Sequence, residues 1–231
     1  MPSKQMKEIF AASRAAGWVL EPRAKELLAA AGMPVPRFTW AHDKAEATRF
    51  AKAIGYPVVA KVVSPAILHK SDVGGVIMSI KDDSELAAAY ERLKTLKGFA
   101  GALVEEMVEG MELIVGAKVD YQFGPAILLG IGGTSVEIYK DTSIRMAPLK
   151  PRDVEAMVHG LRAHQLLEGF RGAPPINRQA LTALLMAFSV LVMEAEAEIE
   201  SIDLNPVKCT AERCLVADAR IMLAEKEGKP R

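Results

Sequence analysis

The sequence predicts an α/β (α+β) chain organised as two lobes, and three observations predict it. The length, 231 residues, allows one large domain or two small lobes. Residues 39–103 alternate helical and extended patterns, as a small β-α-β-like lobe does. From residue 113 onward, extended runs are separated by tight turns, which suggests an antiparallel sheet. The lobes are therefore drawn at 39–103 and at 1–38 plus 104–231. Half of the residues are apolar, enough to fill a packed core in each.

The elements follow in order. Leu20-Glu21-Pro22 opens a helix over 24–31 that carries Leu27 and Leu28, with Pro near its start and Gly32 after its end. Met33-Pro34-Val35-Pro36 is an extended connector and the expected hinge. From His42 a helix places Ala45, Ala47, Phe50, Ala51 and Ile54, and Gly55 ends it. Tyr56-Pro57 leads into a strand over 58–63, and a polar loop separates it from a strand over 76–80. Asp83-Ser84-Glu85 starts a helix through Leu96, closed by Gly98, and a strand over 102–107 follows. Strands are then expected at 113–119, 126–130 and 136–139. Phe123-Gly124-Pro125 turns the first into the second, and the corner Gly130-Ile131-Gly132-Gly133-Thr134 the second into the third. Helices over 152–162 and 178–196 come next, the second with Leu181, Leu184, Leu185, Phe188, Leu191 and Val192 on one face. A strand over 199–204, an Asn205-Pro206 turn and a strand over 215–219 finish the fold, and residues 225–231 are expected to fray.

Charge and cysteine content narrow the function. The 29 basic residues balance the 29 acidic ones, so no global field invites nucleic acid or an anionic membrane. Two cysteines, Cys209 and Cys214, are too few for a disulfide framework and read as ordinary side chains flanking a polar turn. No secretory signal is visible, and the apolar run 181–193 is too short to span a bilayer. A reducing, cytoplasmic setting is expected.

Four groups of residues carry chemistry. Lys61 ends an apolar run, where a lysine commonly snorkels to solvent. The loop that follows, His69-Lys70-Ser71-Asp72-Val73-Gly74-Gly75, changes that reading. Gly74 and Gly75 would let bare backbone amides approach phosphate oxygens that Lys61 neutralises. His69 is the unusual member, because a neutral imidazole can attack phosphorus and carry the phosphoryl group. Asp72 is near enough to orient its ring. His42, His159 and His164 fall on expected helices and read as ordinary residues. The acidic stretch from Glu105 to Glu112 reads either as a solvated turn or as an adenosine hinge. In the second case the backbone at Met107 and Val108 pairs with the base, and Glu112 accepts both ribose hydroxyls. Asp203, Asn205 and Asp218 sit at the ends of expected neighbouring strands, where oxygens could hold Mg²⁺. Asn-Pro alone is also turn chemistry. Arg145 is a phosphate contact or a surface cation.

These pieces in this order resemble the ATP-grasp superfamily, and within it the β subunit of ADP-forming acetyl-CoA synthetase, a relative of the succinyl-CoA synthetase β subunit. The resemblance runs from about Leu20 to Leu223. It rests on His69-Lys70-Ser71-Asp72-Val73-Gly74-Gly75-Val76, on Gly130-Ile131-Gly132-Gly133, and on Asp203-Leu204-Asn205-Pro206 with Asp218-Ala219-Arg220. It implies a two-lobed fold with ATP or ADP bound between the lobes. The family's strand lysine then falls on Lys61, its hinge on Glu105 to Val108, and its ribose-binding glutamate on Glu112. Its magnesium ligands fall on Asn205 and Asp218, with Asp203 close by, and its phosphohistidine on His69. No CoA-binding module and no second phosphohistidine domain are present in the sequence. The resemblance therefore implies an α subunit as partner, in a heterotetramer of two α and two β subunits. The implied reaction interconverts acyl-CoA, ADP and phosphate with acid, CoA and ATP. Two alternatives stay open here: an ATP-grasp carboxylate ligase without a phosphohistidine, and a non-catalytic nucleotide-binding subunit of a protein-acetylation complex.

Overall fold

A computed structural model describes residues 3–133 and 141–225. Thr134 of the glycine corner, the strand expected at 136–139 and residues 226–231 lie outside the described residues. The chain divides into two compact units. One comprises Met1–Val19, Arg23–Val35 and Glu109–Arg231, and the other Leu20–Pro22 and Pro36–Val108.

The smaller unit is a four-stranded antiparallel sheet with two helices on one face. Its strands are β2 (Phe38–Ala41), β3 (Val58–Val63), β4 (Val76–Ile80) and β5 (Gly101–Glu106), in the order β2-β5-β3-β4. β4 and β5 flank β3 and both run antiparallel to it, so the expected β-α-β-like segment is split around a central strand. Its main segment, Pro36–Val108, is wider than 39–103, and Leu20–Pro22 joins it. β2 pairs along β5, with Phe38 opposite Glu105, and so draws both ends inward. Helix α3 (Lys44–Ile54) starts on Asp43, whose carboxylate accepts the Glu46 N–H. Helix α4 (Asp83–Lys94) starts on Asp82 in the same way. The alternate residues Val58, Ala60 and Val62 pack with Leu86, Tyr90 and Leu93 of α4 and Ala47 and Ala51 of α3. Val59, Lys61 and Val63 therefore face the other way, yet all six residues of β3 are buried.

The larger unit is a seven-stranded antiparallel sheet covered by helices on one face. It contains α1 (Lys4–Ser13), β1 (Trp18–Val19) and most of α2 (Glu21–Ala30). It continues with β6 (Met111–Asp120), β7 (Gly124–Ile131) and β8 (Thr142–Met146), then α5 (Pro151–His159) and α6 (Arg178–Ala195). It closes with β9 (Ile199–Cys209), β10 (Cys214–Val216) and β11 (Arg220–Leu223). The strand order is β1-β11-β9-β6-β7-β8, with β10 paired to β9. Leu113, Val115, Ala117, Ile127, Leu129, Ile202 and Leu204 form one core with Leu181, Leu184 and Phe188 of α6. By strand alternation, Glu112, Gly116, Lys118, Leu128 and Asp203 occupy the opposite, open face. Helix α6 has 18 residues and is long and apolar enough for a membrane span, longer than the run 181–193 suggested. It buries eight of its residues in this core, which identifies it as a core helix.

Two expectations are corrected. Asn205-Pro206 is not a turn between strands. β9 runs through both residues, which bulge opposite Ile114 where the register slips between Leu113 and Val115. The strand expected at 215–219 is two strands, broken at Ala217-Asp218-Ala219. β10 pairs with the far end of β9 and β11 with its near end, so the bulge in one strand meets the break in its neighbour.

Candidate active site

In the smaller unit, β3 delivers Lys61 to the face away from α3 and α4. The side chain does not snorkel: Lys61 is 6% exposed. Its Nζ lies 2.8 Å from Glu21 Oε1 and 2.8 Å from Glu105 Oε1, and those carboxylates are themselves 4% and 2% exposed. Lys70 Nζ pairs with the other oxygen of Glu21. Two ammonium groups and two carboxylates thus neutralise one another in a site where an unpaired charge would be costly. Glu105, expected at the hinge, pairs with Lys61 through its carboxylate. Lys61 and Glu105 face each other diagonally, since Lys61 is paired with Leu103 and Val59 with Glu105. Met107 and Val108 follow β5 as half-buried residues, and Met107 Sδ accepts the Ser79 hydroxyl at 3.6 Å.

The loop between β3 and β4 holds His69 exposed, with Ser71–Val73 forming a single 3₁₀ turn after it. The glycine pair works differently from the expectation of bare amides. Gly74 N–H donates to Ser71 O at 3.1 Å and Gly75 N–H to Lys70 O at 2.7 Å. Gly74 has φ +64°, and a Cβ on Gly75 would lie 2.6 Å from Val62 Cγ1 and 2.9 Å from Lys70 O. The glycines are needed because the loop folds tightly back on β3, and their amides are spent closing it.

In the larger unit, the open face of the sheet gathers most of the remaining candidates. Glu112 on β6 is paired with Lys208 on β9, 2.6 Å from Oε1 to Nζ. Gly132 N–H donates to the Glu112 carbonyl at 2.8 Å, and a Cβ there would sit 3.1 Å from Glu112 Cβ, so the glycine corner packs directly on this residue. Further along the same face, Asp203 stands opposite Gly116 and Arg220, and its carboxylate accepts Arg220 Nη2 at 3.0 Å. Asn205 is exposed in the bulge and Asp218 half-buried in the break. The Ala217 N–H donates to Pro206 O at 3.0 Å, which ties the two segments side by side. This is a set of hard oxygen donors, the kind Mg²⁺ takes, and it contains no sulfur or imidazole. Arg145 does not join the group. Its register partner Ile127 belongs to the helix-covered face, so Arg145 lies on that side of the edge strand β8 and turns its guanidinium onto the Ile144 carbonyl.

Sequence reasoning missed three participants. Glu21 and Lys70 complete the charge balance around Lys61. Lys25, fully buried on α2, donates from Nζ to the Ala217 carbonyl at 2.9 Å, beside Asp218. Its signal was legible: Lys25 lies three residues before Leu28, a charge set into an apolar stripe. The cysteines face each other across β9 and β10, both buried. Hydrogen bonding to the Cys214 sulfur, with burial, pushes the Cys209 thiol above the usual range, which suits inert core residues. An apolar cavity of about 430 Å³ lined by Met111, Phe170, Ile176 and Cys209 opens on the helix side of the sheet, away from Glu112.

Comparison with known proteins identifies the family. A family model described as an ATP-grasp domain matches residues 11–223. The β subunit of ADP-forming acetate–CoA ligase I of Pyrococcus furiosus is 41% identical, over 89% of this chain and 91% of that subunit. The ADP-forming 4-hydroxybutyrate–CoA ligase of Nitrosopumilus maritimus is 39% identical, and the match covers 89% of this chain but 31% of that longer protein. Among solved structures, the acetyl-coenzyme A synthetase 1 of Candidatus Korarchaeum cryptofilum superposes with a TM-score of 0.88 at 37% identity. The match covers 94% of this chain and 99% of that one, which was determined with coenzyme A and the nucleotide analogue AMPCP.

Proposed function

The chain belongs to the ATP-grasp family, alongside the β subunits of ADP-forming acetate–CoA ligases, and from that premise we propose that it is the nucleotide-binding subunit of an ADP-forming acyl-CoA ligase. The observation that carries the proposal is His69, an exposed imidazole on a loop whose two ends are fixed to the sheet. A phosphoryl carrier must be reachable by donor and acceptor while its backbone stays put.

In this proposal a partner α subunit, carrying CoA-binding and phosphohistidine domains, converts acyl-CoA and phosphate to an acyl phosphate and free CoA; its own histidine then takes the phosphoryl group as the P–O bond to the acyl oxygen breaks and the acid leaves. The N–P bond on the partner breaks as a ring nitrogen of His69 forms a new one. An oxygen of the ADP β-phosphate then attacks the same phosphorus, the His69 N–P bond breaks, and its electron pair returns to the ring. Lys61, oriented by Glu21 and Glu105, is assigned to hydrogen-bond the phosphate oxygens. Glu112 accepts the ribose hydroxyls, Lys208 keeping its carboxylate oriented, and the backbone at Met107 and Val108 pairs with the base. Asn205 and Asp218, with Asp203 beside them, would hold Mg²⁺, which would supply screening of the charge on the phosphate oxygens. Arg145 is assigned no role, and the glycine pair shapes the loop. Stabilisation of charge and alignment in line supply most of the acceleration. The protein works in the cytoplasm, in an assembly of two α and two β subunits.

His69→Ala tests the proposal. The variant should fold and bind nucleotide but form no ATP, and wild type should take an acid-labile, base-stable label from γ-labelled ATP that the variant lacks. Full activity in the variant would overturn the relay, and activity without any labelling would favour direct acyl-phosphate chemistry.

A further inference from the structure

We propose that His159, His164 and Glu168 form a binding site for one divalent transition-metal ion of the zinc type. Each residue offers a ligand atom, and the three atoms lie within 4.8 Å of one another. Around a tetrahedral zinc bonded at about 2.1 Å, ligand atoms stand about 3.4 Å apart, so modest side-chain rotation closes the set, and water completes it. Two imidazoles and one carboxylate suit Zn²⁺, Co²⁺ or Ni²⁺ and do not suit Mg²⁺, which takes oxygen. The site is thus chemically separate from the oxygen donors at Asn205 and Asp218.

The backbone that carries the three ligands is already fixed. α5 ends on His159, and the following Gly160 is packed so closely that a Cβ would lie 3.1 Å from Ala156 O and 3.2 Å from Ser143 Oγ. The Asp141 carboxylate, 7% exposed, accepts the N–H groups of Arg162 and Ala163 at 2.8 and 2.9 Å. Leu161 and Leu167 anchor the segment in the core on either side of His164. The tautomer of His164 is set as well. Its Nδ1 lies 2.9 Å from the Leu161 carbonyl, which can only accept, so Nδ1 carries the proton and Nε2 presents a lone pair. A metal-binding histidine is commonly oriented by this kind of backbone contact. His159 stands with its ring centroid 5.9 Å from that of His164. The two rings that read as ordinary helical residues in the sequence are brought together because α5 stops at His159 and a 3₁₀ turn, His164–Glu168, folds back beside it.

The test is Co²⁺ titration of the full-length chain after chelator treatment, with millimolar Mg²⁺ present, followed by visible absorption and by competition with Zn²⁺. One equivalent should bind and be displaced by Zn²⁺. His159→Gln, His164→Gln and Glu168→Gln should each weaken binding at least about tenfold. Circular dichroism of the variants without metal should match wild type, which separates ligand loss from unfolding. Absence of stoichiometric binding, or equal affinity in all three variants, would overturn the site. So would binding that survives in the histidine variants and vanishes in Cys209→Ser.

Discussion

A lysine ammonium in the middle of a buried strand is tolerable only with carboxylates against it, and Lys61 has two. Their presence separates the contribution of the strand from that of the charge. Removing the ammonium takes a cation from beside the buried Glu105 carboxylate, and breaking a buried pair costs about 3–5 kcal/mol. Lys61→Ala should therefore lower the unfolding free energy by about that much in urea titrations. Lys61→Met combined with Glu105→Leu should recover most of it, since an apolar pair of similar volume replaces the ionic one and Lys70 still meets Glu21. A single-variant loss below about 1 kcal/mol would show that water, not protein, balances these charges. The residue itself was legible in the sequence, as a lysine that ends an apolar run. Its environment was not. Glu21 is 40 residues away along the chain, and no local pattern announces a partner at that distance. The same limit hid the pairing of Lys25 with the Ala217 carbonyl, 192 residues apart.

At the level of elements, strands bracketed by turn residues declared themselves, and a strand that exists only by its pairing did not. β3 and β4 fall where the sequence put them, at Val58–Val63 and Val76–Ile80, because turn residues bracket both. β2 has three half-buried residues out of four and exists because it pairs with β5, which no periodicity shows. α1 was passed over because its charges sit among alanines, yet Met6, Ile9 and Phe10 make a buried stripe and Ser3 caps it. The Asn205-Pro206 bulge looked like a turn because the same residues serve both purposes. Loop geometry is the element that matters most for the proposed chemistry, and Gly75 tests it. Alanine there would press on Val62 and on the Lys70 backbone, which cannot yield as a side-chain tip could. Gly75→Ala should cost about 1–3 kcal/mol of stability. It should also depress labelling at His69 more than it weakens ADP binding, measured by phosphate incorporation and calorimetry on the same sample. Unchanged labelling would mean that the position of the loop does not depend on its closure against β3.

For the molecule as a whole, the proposal assigns the nucleotide to this chain and the acyl-CoA chemistry to a partner. Its fold is the one its relatives use as a separate β subunit in Pyrococcus furiosus and as about a third of a longer ligase in Nitrosopumilus maritimus. The division of labour implied by those two arrangements has a direct consequence. The proposal assigns ADP and Mg²⁺ to groups of this chain, so calorimetry on the purified protein should show one saturable site. In the proposed relay, turnover takes its phosphoryl group from the partner. Acetyl-CoA, ADP and phosphate should therefore yield no ATP with this protein alone, and should yield it when an α subunit carrying a phosphohistidine is added. The balance of 29 acidic and 29 basic residues makes a long-range electrostatic drive for that docking weak. The rate of reconstitution should accordingly change little, within about threefold, between low and physiological ionic strength. ATP formation by the isolated chain would remove the need for the partner and refute the relay at its first step. A steep salt dependence would instead place opposed charged patches at the contact, which the even charge balance does not anticipate.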